Sequence, residues 1–320
     1  MRVLVTGSTG FVGEALVKEL LSHGHQVLGL TRSAKGVSKL KEQGAEALEG
    51  TIEDTALLKK AASECDAVAH LAFIRDFANY EACCEIDWAA IEALGAGLIE
   101  YNDRASALED RALVITSGTL FLPQGRLVDE DTPCDEGGPM LTLRGRCEPV
   151  CLAFAKKGLR ASVVRLPPTT HGPGFSGFSG ALVTMALRHG RSAYVGDGQN
   201  SWPAVHRDDA ARVYRLAIER GGTGTSGSGS VYHTVAEESV VLRDIATEIG
   251  KQLGMPVVSV SEGEEVDVYL APLQFIPLAD NKASSVKTRQ QLGWSPTGKG
   301  VVEDMVNIVS FVKNLPPGAH

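Results

Sequence analysis

The sequence predicts an α/β fold in which a doubly wound parallel sheet carries helices on both faces and a smaller C-terminal region binds the substrate. Short apolar runs alternate with helix-spaced segments through the first 166 residues, as crossover connections between parallel strands require. The chain also opens on a strand, a glycine-rich turn and a helix, which is the context of nucleotide-binding turns. Beyond residue 166 the alternation loosens, which separates the second region from the first.

The opening turn has glycine at three positions: Gly7, Gly10 and Gly13. The apolar run 2–5 is too short for a helix and predicts the first strand, and apolar residues at helical spacing follow Gly13. Gly7 permits a tight turn, Gly10 lets the backbone approach a pyrophosphate, and Gly13 allows the helix to pack close to the strand. These features indicate a Rossmann-type dinucleotide site, with the first helical amides facing the phosphates. A glycine-rich turn that binds no ligand is the alternative.

The second strand, predicted at 26–30, bears on the choice of cofactor. Its tip would face the adenosine ribose, where an acidic residue selects NAD by bonding the 2′-hydroxyl. No acid follows the strand, and Arg32 is placed to pair with a 2′-phosphate. We therefore expect NADP rather than NAD, although NAD is possible. The alternative is that Arg32 is a solvated surface arginine.

The remaining pattern predicts the later elements in chain order. Strands are expected at 45–48, 66–72, 112–116, 160–166, 231–235 and 257–260. Helices are expected at 55–63, 79–101, 180–189, 208–220, 242–253, 284–294 and 301–314, with a turn at 196–198 and a flexible loop at 221–230. Residues 1–166, joined by about 206–236, are expected to form the nucleotide-binding domain. Residues 167–205 and 237–320 are expected to form the substrate-binding region that caps it.

Composition excludes several classes of protein. The chain is 43% apolar and 22% charged, as in ordinary globular proteins, and its net charge of −8 argues against a nucleic-acid partner. No stretch approaches the roughly 20 apolar residues of a membrane span, and the nucleotide turn stands where a signal peptide would have its apolar core. The six cysteines include no C-x-x-C pair, so we expect reduced thiols and no metal site. A cytoplasmic enzyme acting on a small molecule is predicted.

The opening Thr6-Gly-x-x-Gly-x-x-Gly13 resembles the extended branch of the short-chain dehydrogenase/reductase superfamily, which includes sugar-nucleotide epimerases and 3β-hydroxysteroid dehydrogenases. Agreement extends along nearly the whole chain, in His70-Leu-Ala72, Thr116-Ser-Gly-Thr119, His171-Gly-Pro-Gly174, Val205-His-Arg-Asp-Asp209 and Leu292-Gly-Trp-Ser-Pro296. The resemblance implies the fold and a nicotinamide cofactor. The expected cofactor-binding residues are Thr6, Gly7, Thr9, Gly10, Phe11, Val12, Gly13, Arg32, Leu71, Ala72, Thr116, Arg144 and Pro167.

The chain departs from this superfamily at its catalytic motif, a tyrosine four residues before a lysine and usually a glutamate four residues after it. Counting back from Glu148 puts Arg144 at the lysine position and Met140 at the tyrosine position. Methionine cannot transfer a proton, and no tyrosine lies between Tyr101 and Tyr194 to replace it. Arg144 can still hold the ribose, but a guanidinium does not usefully exchange protons. The resemblance is therefore to atypical members.

Four residues are expected to carry the chemistry: Ser117, Thr119, Arg144 and His171. The resemblance assigns Ser117 to the substrate carbonyl, whereas a strand-end serine that satisfies local backbone is the alternative. Thr119 is its companion. Histidine is a common general acid, so His171 is a candidate proton donor, against the alternative of a structural loop histidine. Asp87 stands where family members often carry a water-holding asparagine, and is otherwise a helix-surface carboxylate.

Three functions fit these residues. The first is an NADP-dependent reductase of a carbonyl or related group in a small-molecule metabolite, with a non-standard proton donor. The second is a non-redox isomerase, lyase or cyclase whose cofactor is structural or absent, and the third is a nucleotide-sensing protein without catalysis. By resemblance, a homodimer through the helices near 79–101 and 144–157 is possible.

Overall fold

The computed structural model describes residues 1–100, 111–135, 140–174, 177–221, 229–261, 263, 269 and 276–315, without the side chains of residues 77, 140 and 141. It confirms the predicted class: seven parallel strands form the central sheet, in the order β11-β7-β5-β4-β1-β2-β3. These strands are β1 (Arg2–Thr6), β2 (Gln26–Thr31), β3 (Glu46–Glu49), β4 (Ala67–His70), β5 (Ala112–Gly118), β7 (Arg160–Leu166) and β11 (Ser230–His233).

The strand β1 lies inside the sheet and is buried on both faces. Val3, Leu4 and Val5 have no exposed surface, which explains why this strand is continuously apolar rather than alternating. Its neighbours are β2 and β4, with Val3 in register with Val27 and Ala67. The carboxyl ends of β1 and β4 therefore lie side by side, where ligands bind in open parallel sheets.

Helices cover both faces of this sheet. The α-helices of the described residues, on the sheet and elsewhere, are α1 (Phe11–Ser22), α2 (Ala34–Glu42), α3 (Thr55–Ala62), α4 (Tyr80–Glu100), α5 (Cys147–Leu152), α6 (Gly177–His189), α7 (Arg207–Arg220), α8 (Leu242–Leu253), α9 (Val286–Leu292) and α10 (Val301–Lys313). One apolar cluster joins α1 and α7 to the sheet, and another joins α3, α4 and α5 to it. The two clusters make a three-layer molecule.

A third large cluster packs α6, α8 and α10 around shorter strands. The short strands are β6 (Leu127–Val128), β8 (Thr169–His171), β9 (Ser192–Val195), β10 (Ser201–His206), β12 (Glu237–Val241), β13 (Val257–Val260) and β14 (Lys282–Ala283). They form a three-stranded sheet, β12-β10-β8, and two parallel pairs, β13-β9 and β14-β6. The division into the two domains given above stays a prediction.

The segment 144–157 differs from the single helix expected there. A 3-10 stretch over Met140–Arg146 leads into α5, and a second one follows over Ala153–Lys157. Pro149 sits in the first turn of α5, where a missing amide is tolerated, and Gly145 lowers helix propensity before it. This segment therefore contributes only the short helix α5 to the predicted dimer contact. Dimerisation stays a prediction.

Two further predictions are corrected. Strand β4 ends at His70 rather than residue 72, because the amides of Leu71 and Ala72 both donate to the Thr6 hydroxyl, at 3.1 Å each. Helix α2 was not predicted, although Ser33 caps it by accepting from the Gly36 amide at 3.1 Å. The predicted loop at 221–230 falls largely on 222–228, outside the described residues. In the part of the chain that the structure describes, no helix is long and apolar enough to cross a membrane.

Candidate active site

The turn between β1 and α1 has a geometry that only glycine satisfies. Gly7 has φ +66°, and its carbonyl accepts from the Gly10 amide at 2.9 Å. A Cβ on Gly13 would lie 2.0 Å from that same carbonyl oxygen, and one on Gly7 would lie 2.8 Å from the amide nitrogen of Ala72. The turn therefore packs closely against α1 and against the loop that follows β4.

The N-terminus of α1 is free to meet an anion. Gly10 is its cap residue and has no side chain to accept from the first amides, which also have no partner within the helix. Arg207 lies next to this end, with its guanidinium carbon 5.0 Å from the centroid of the Phe11 ring. The Nε of Arg207 is buried without a hydrogen-bond partner among the described residues, although it lies 3.7 Å from Oδ1 of the exposed Asp208. Amides and a cation together fit a pyrophosphate.

Sequence reasoning missed Arg207 as a candidate site residue. The signal was present, because Val205-His-Arg-Asp-Asp209 was recognised as a family landmark and places Arg207 directly after a strand. Arg207 lies close to α1 because of the path that the chain takes through β10. Local sequence patterns do not reveal such a crossover. His206, in contrast, caps α7 by accepting from the Asp208 amide at 3.3 Å.

A buried chain of polar groups runs from the turn to α4. The hydroxyl of Thr6 accepts from two amides, so it donates to Nδ1 of His70 at 2.8 Å. This leaves Nε2 of His70 to donate to Oδ1 of Asp87 at 3.1 Å. The Oδ2 of Asp87 is buried and has no partner among the described residues. The chain therefore ends in an unsatisfied carboxylate oxygen, the kind of atom that a bound group or water satisfies.

Arg144 lies in the same neighbourhood as Asp87. Its guanidinium carbon is 3.9 Å from the centroid of the Phe73 ring, and its Nε is buried without a hydrogen-bond partner among the residues described. Burial raises the pKa of the Cys147 thiol most; among the charges that act on it, Asp87 and Glu148 raise the pKa and Arg144 lowers it. Asp87 and Arg144 carry opposite charges, and each has one buried atom without a hydrogen bond. Both lie near the carboxyl end of β4.

Ser117 is placed differently from the expectation. Its side chain is buried, and its hydroxyl donates to Oε1 of Glu148 at 2.6 Å. Glu148 is held by Arg165, which donates to Oε1 from Nε at 2.8 Å and to Oε2 from Nη2 at 2.6 Å. Burial alone would lower the pKa of Arg165, but the hydrogen bonds and charge of Glu148 outweigh it and raise the pKa. A substrate contact by the Ser117 hydroxyl stays a prediction, and it requires this bond to break.

The two threonines of the same segment also direct their hydroxyls inward. Thr116 donates to the carbonyl of His70 at 2.9 Å and accepts from the Tyr214 phenol at 2.7 Å. Thr119 donates to Oδ1 of Asn281 at 2.7 Å, and Nδ2 of Asn281 donates to the Thr119 carbonyl at 2.9 Å. Their predicted roles remain untested, but the hydroxyls serve internal packing.

His171 lies in the three-stranded sheet, separate from the β4 and β5 ends. Its Nδ1 is 2.9 Å from Oδ2 of Asp304 on α10, and its ring meets the His206 ring edge-on at a centroid distance of 5.5 Å. The side chain has no exposed surface, and Nε2 has no partner among the described residues. Burial alone would raise the pKa of Asp304, but the hydrogen bonds from His171 and Asn307 outweigh it and lower the pKa. A role as proton donor stays a prediction.

The other predicted cofactor residues are spread along the strand ends. Arg32 follows β2, is exposed and has no ion-pair partner among the residues described. Thr9, Phe11 and Val12 are half-buried at the start of α1. Pro167 is buried just after β7. The structure thus brings the turn, the β4 loop and Arg144 to one edge of the sheet, and Arg32 lies at the carboxyl end of β2 on that same edge.

Comparison with known proteins gives a family for this fold. The model of the NAD dependent epimerase/dehydratase family matches residues 3–232. An uncharacterised protein of Schizosaccharomyces pombe is 41% identical over 97% of this chain and 100% of its own length. A 2-alkyl-3-oxoalkanoate reductase of Stenotrophomonas maltophilia is 29% identical over 80% of this chain and 77% of its own length.

Solved structures show the same architecture. The UDP-glucuronic acid 4-epimerase of Bacillus cereus, in complex with NAD, superposes with a TM-score of 0.77, covering 100% of this chain and 99% of that one. Sequence identity to it is 19%, so this likeness concerns the fold alone.

Proposed function

The chain belongs to the NAD dependent epimerase/dehydratase family, and we propose that it is an NADP-dependent oxidoreductase that reduces a carbonyl or related group of a small-molecule metabolite. The observation that carries this proposal is the turn between β1 and α1. Its Gly13 leaves no room for a side chain, and its uncapped helix end lies beside Arg207. Such a site suits a dinucleotide pyrophosphate better than a structural turn, which has no need of an arginine whose buried Nε lacks a hydrogen bond.

The adenosine end supports NADP over NAD. Arg32 is exposed directly after β2 and, among the described residues, has no carboxylate to neutralise it. A guanidinium fork is suited to a phosphate monoester. In the proposed complex Arg32 binds the 2′-phosphate, Arg207 the pyrophosphate and Arg144 the nicotinamide ribose.

The substrate end supports proton transfer by an unusual route. Bound NADPH would supply the hydride, and a proton must then reach the product oxygen. The structure offers Oδ2 of Asp87, unsatisfied and in the neighbourhood of Arg144, as the atom that holds a proton-relaying water. His171 is the other candidate, but its ring is enclosed by Asp304 and His206. We therefore assign the relay to Asp87.

The names of similar proteins also favour reduction. The Stenotrophomonas relative is named a reductase, and a Stigmatella aurantiaca relative, 27% identical over 77% of this chain, is named a ketoreductase. The test is oxidation of NADPH, followed by its absorbance, with a panel of ketones and aldehydes. Wild type is expected to turn over at least one class, and Asp87→Ala and Arg144→Met to lower kcat by about 100-fold. Product formation without NADPH oxidation would contradict reduction.

A second candidate function is nucleotide binding without turnover. It is favoured by the hydroxyls of Ser117 and Thr119, both of which are committed to internal hydrogen bonds. Under this reading NADPH binds, but no carbonyl compound is reduced and no product forms in its presence. The same panel separates the two functions.

A further inference from the structure

We propose that a polar groove at the β11 edge of the central sheet binds the primary ammonium group of a small organic molecule, and that Glu130 holds this group. The groove is lined by residues of α5, β11, α9, the loop 130–135 and the segment 142–146, and we call it the α5–α9 groove. None of its lining residues belongs to the β1–α1 turn or to the loop after β4, so the proposal is independent of the cofactor site.

The α5–α9 groove has the size of a small-molecule site and is held in shape by contacts between its walls. Its volume is about 520 Å³, within the range of roughly 300–1,000 Å³ that is usual for ligand pockets. Nη1 of Arg165 donates to the Thr132 carbonyl at 2.8 Å, which ties the loop to the sheet. Gly145 lies so close to Cys134 that an added Cβ would be 2.8 Å from its Sγ. A ligand therefore enters a groove that is already formed.

Glu130 lines this groove with a carboxylate that is only half satisfied. The residue is 4% exposed, and its Oε1 accepts from both the amide and the hydroxyl of Thr288, at 2.7 Å each. Its Oε2 is buried and has no hydrogen-bond partner among the described residues. Buried carboxylates are normally paired or fully hydrogen-bonded, so this oxygen is a vacant acceptor.

Two of the three cationic side chains that line the groove already have carboxylate partners. Arg165 donates to both oxygens of Glu148, at 2.8 and 2.6 Å. Lys287, on α9, forms an ion pair with Asp131. Both charges are thus compensated by acids other than Glu130.

The remaining charges leave the groove with an excess of acid. The third cation, Arg146, is exposed, so solvent screens its charge. Asp135 is half-buried and adds a fourth carboxylate to the wall. Four carboxylates therefore face three cations, and Glu130 is the buried acid whose second oxygen is unsatisfied.

The vacant oxygen of Glu130 favours a cation that donates hydrogen bonds. Because Oε1 already has two donors, only Oε2 is open, which suits the single contact of an ammonium better than the two-oxygen edge that guanidinium binds. A divalent metal ion would need several oxygen ligands. Leu152 and Val231 also line the groove and supply an apolar surface for the carbon stem of an amine.

The test is calorimetric binding of n-butylammonium to the protein at neutral pH and low salt. Of its two matched probes, butyltrimethylammonium keeps the charge without N–H donors, and butanamide keeps N–H donors without the charge. n-Butylammonium is expected to bind about tenfold or more tightly than either. Glu130→Gln, which keeps an acceptor for Thr288, is expected to abolish that preference. Glu238→Gln, exposed on β12, is the control and should leave it unchanged.

The amide of Thr288 reports on the same carboxylate without any substitution, because it donates to Oε1 of Glu130. Its NMR chemical shift is expected to move when n-butylammonium saturates the wild-type protein, whereas the amide of Gly44, before the opposite edge strand β3, should not respond. This measurement stands even if Glu130→Gln does not fold.

Three results would overturn the proposal: equal binding of the three probes, binding of none of them, or a preference that survives in folded Glu130→Gln. An unmoved Thr288 amide at saturation would also contradict it. None of these outcomes depends on NADPH oxidation, so they leave the proposed function untouched.

Discussion

The hydroxyl of Ser117 and the guanidinium of Arg165 meet on one buried carboxylate, that of Glu148. Replacing Ser117 with alanine removes one donor to a buried charge, so we expect Ser117→Ala to lower the free energy of unfolding by about 1–3 kcal/mol. Urea unfolding measures this, and Ser38→Ala on the exposed face of α2 serves as the control. Unchanged stability with lost turnover would instead make Ser117 a substrate contact.

His233 makes stability depend on pH. Its Nδ1 donates to the Ser284 carbonyl at 2.8 Å, and Nη1 of Arg165 donates to its Nε2 at 3.2 Å, which requires a neutral ring. Burial, followed by the charge of Arg165, lowers the pKa of His233 from 6.5 to about 3. Between these values the unfolded chain binds a proton that the folded chain excludes. Stability therefore falls as pH drops below about 6.5, by at most roughly 1.4 kcal/mol per pH unit from this group.

Urea unfolding at about pH 7 and pH 5 measures this dependence. We expect His233→Asn to reduce the difference between the two pH values, although it lowers stability at both. His23→Asn, an exposed histidine after α1, is the control and should keep the wild-type difference. An unaltered difference in His233→Asn would show that other groups carry the effect.

Substitution of His171 distinguishes a proton donor from a residue that only packs in the core. It bonds Asp304 from a fully buried position, so His171→Ala is expected to lower the free energy of unfolding by about 1.5–3 kcal/mol. The kcat of the folded fraction should change by less than about tenfold, since general acid–base groups contribute more than that. Full stability with a kcat reduced by 100-fold or more would identify it as the proton donor.

At the scale of elements, the junction of β1 and α1 decides whether the cofactor site forms. Helix propensity predicts that Gly13→Ala stabilises α1 by about 1 kcal/mol. The added Cβ would lie 2.0 Å from the Gly7 carbonyl oxygen, and overpacking of this kind costs about 3 kcal/mol, so the steric term dominates. We expect a lower melting temperature and weakened NADPH binding.

Gly44 supplies the matched control for that substitution. It has φ +87° and open space around the position of an added Cβ, so Gly44→Ala should cost only the left-handed conformation, about 1–2 kcal/mol. It lies after α2, away from the turn, and should leave NADPH affinity unchanged. Tolerance of Gly13→Ala in both stability and binding would contradict the described turn.

Over the whole molecule, the sequence predicted the sheet better than it predicted the site. Strands β1, β2, β5 and β7 were predicted to within a residue or two, because each contains a short run of apolar residues of strand length. Short strands such as β6 and β14, of two residues each, have no pattern of their own and exist through pairing with each other. Local sequence patterns do not reveal long-range pairing of that kind.

The candidate site was predictable where backbone geometry governs it and not where side chains choose between partners. The glycines of the turn follow from spacing alone. The hydroxyls of Ser117 and Thr119 have partners that lie 31 and 162 residues further along the chain, and no local pattern shows that they are engaged. Arg207 was missed for the same reason, since it became notable only through what surrounds it.

The central claim is that this molecule holds NADP in the β1–α1 site, and calorimetric titration with NADPH and NADH tests it most directly. We expect NADPH to bind more tightly than NADH, and Arg32→Ala to weaken NADPH by about tenfold or more while changing NADH little. Arg188→Ala serves as the control and should change neither affinity. Equal affinity for the two nucleotides, unaltered by Arg32→Ala, would contradict the assignment of NADP, and binding of neither would contradict the nucleotide site itself.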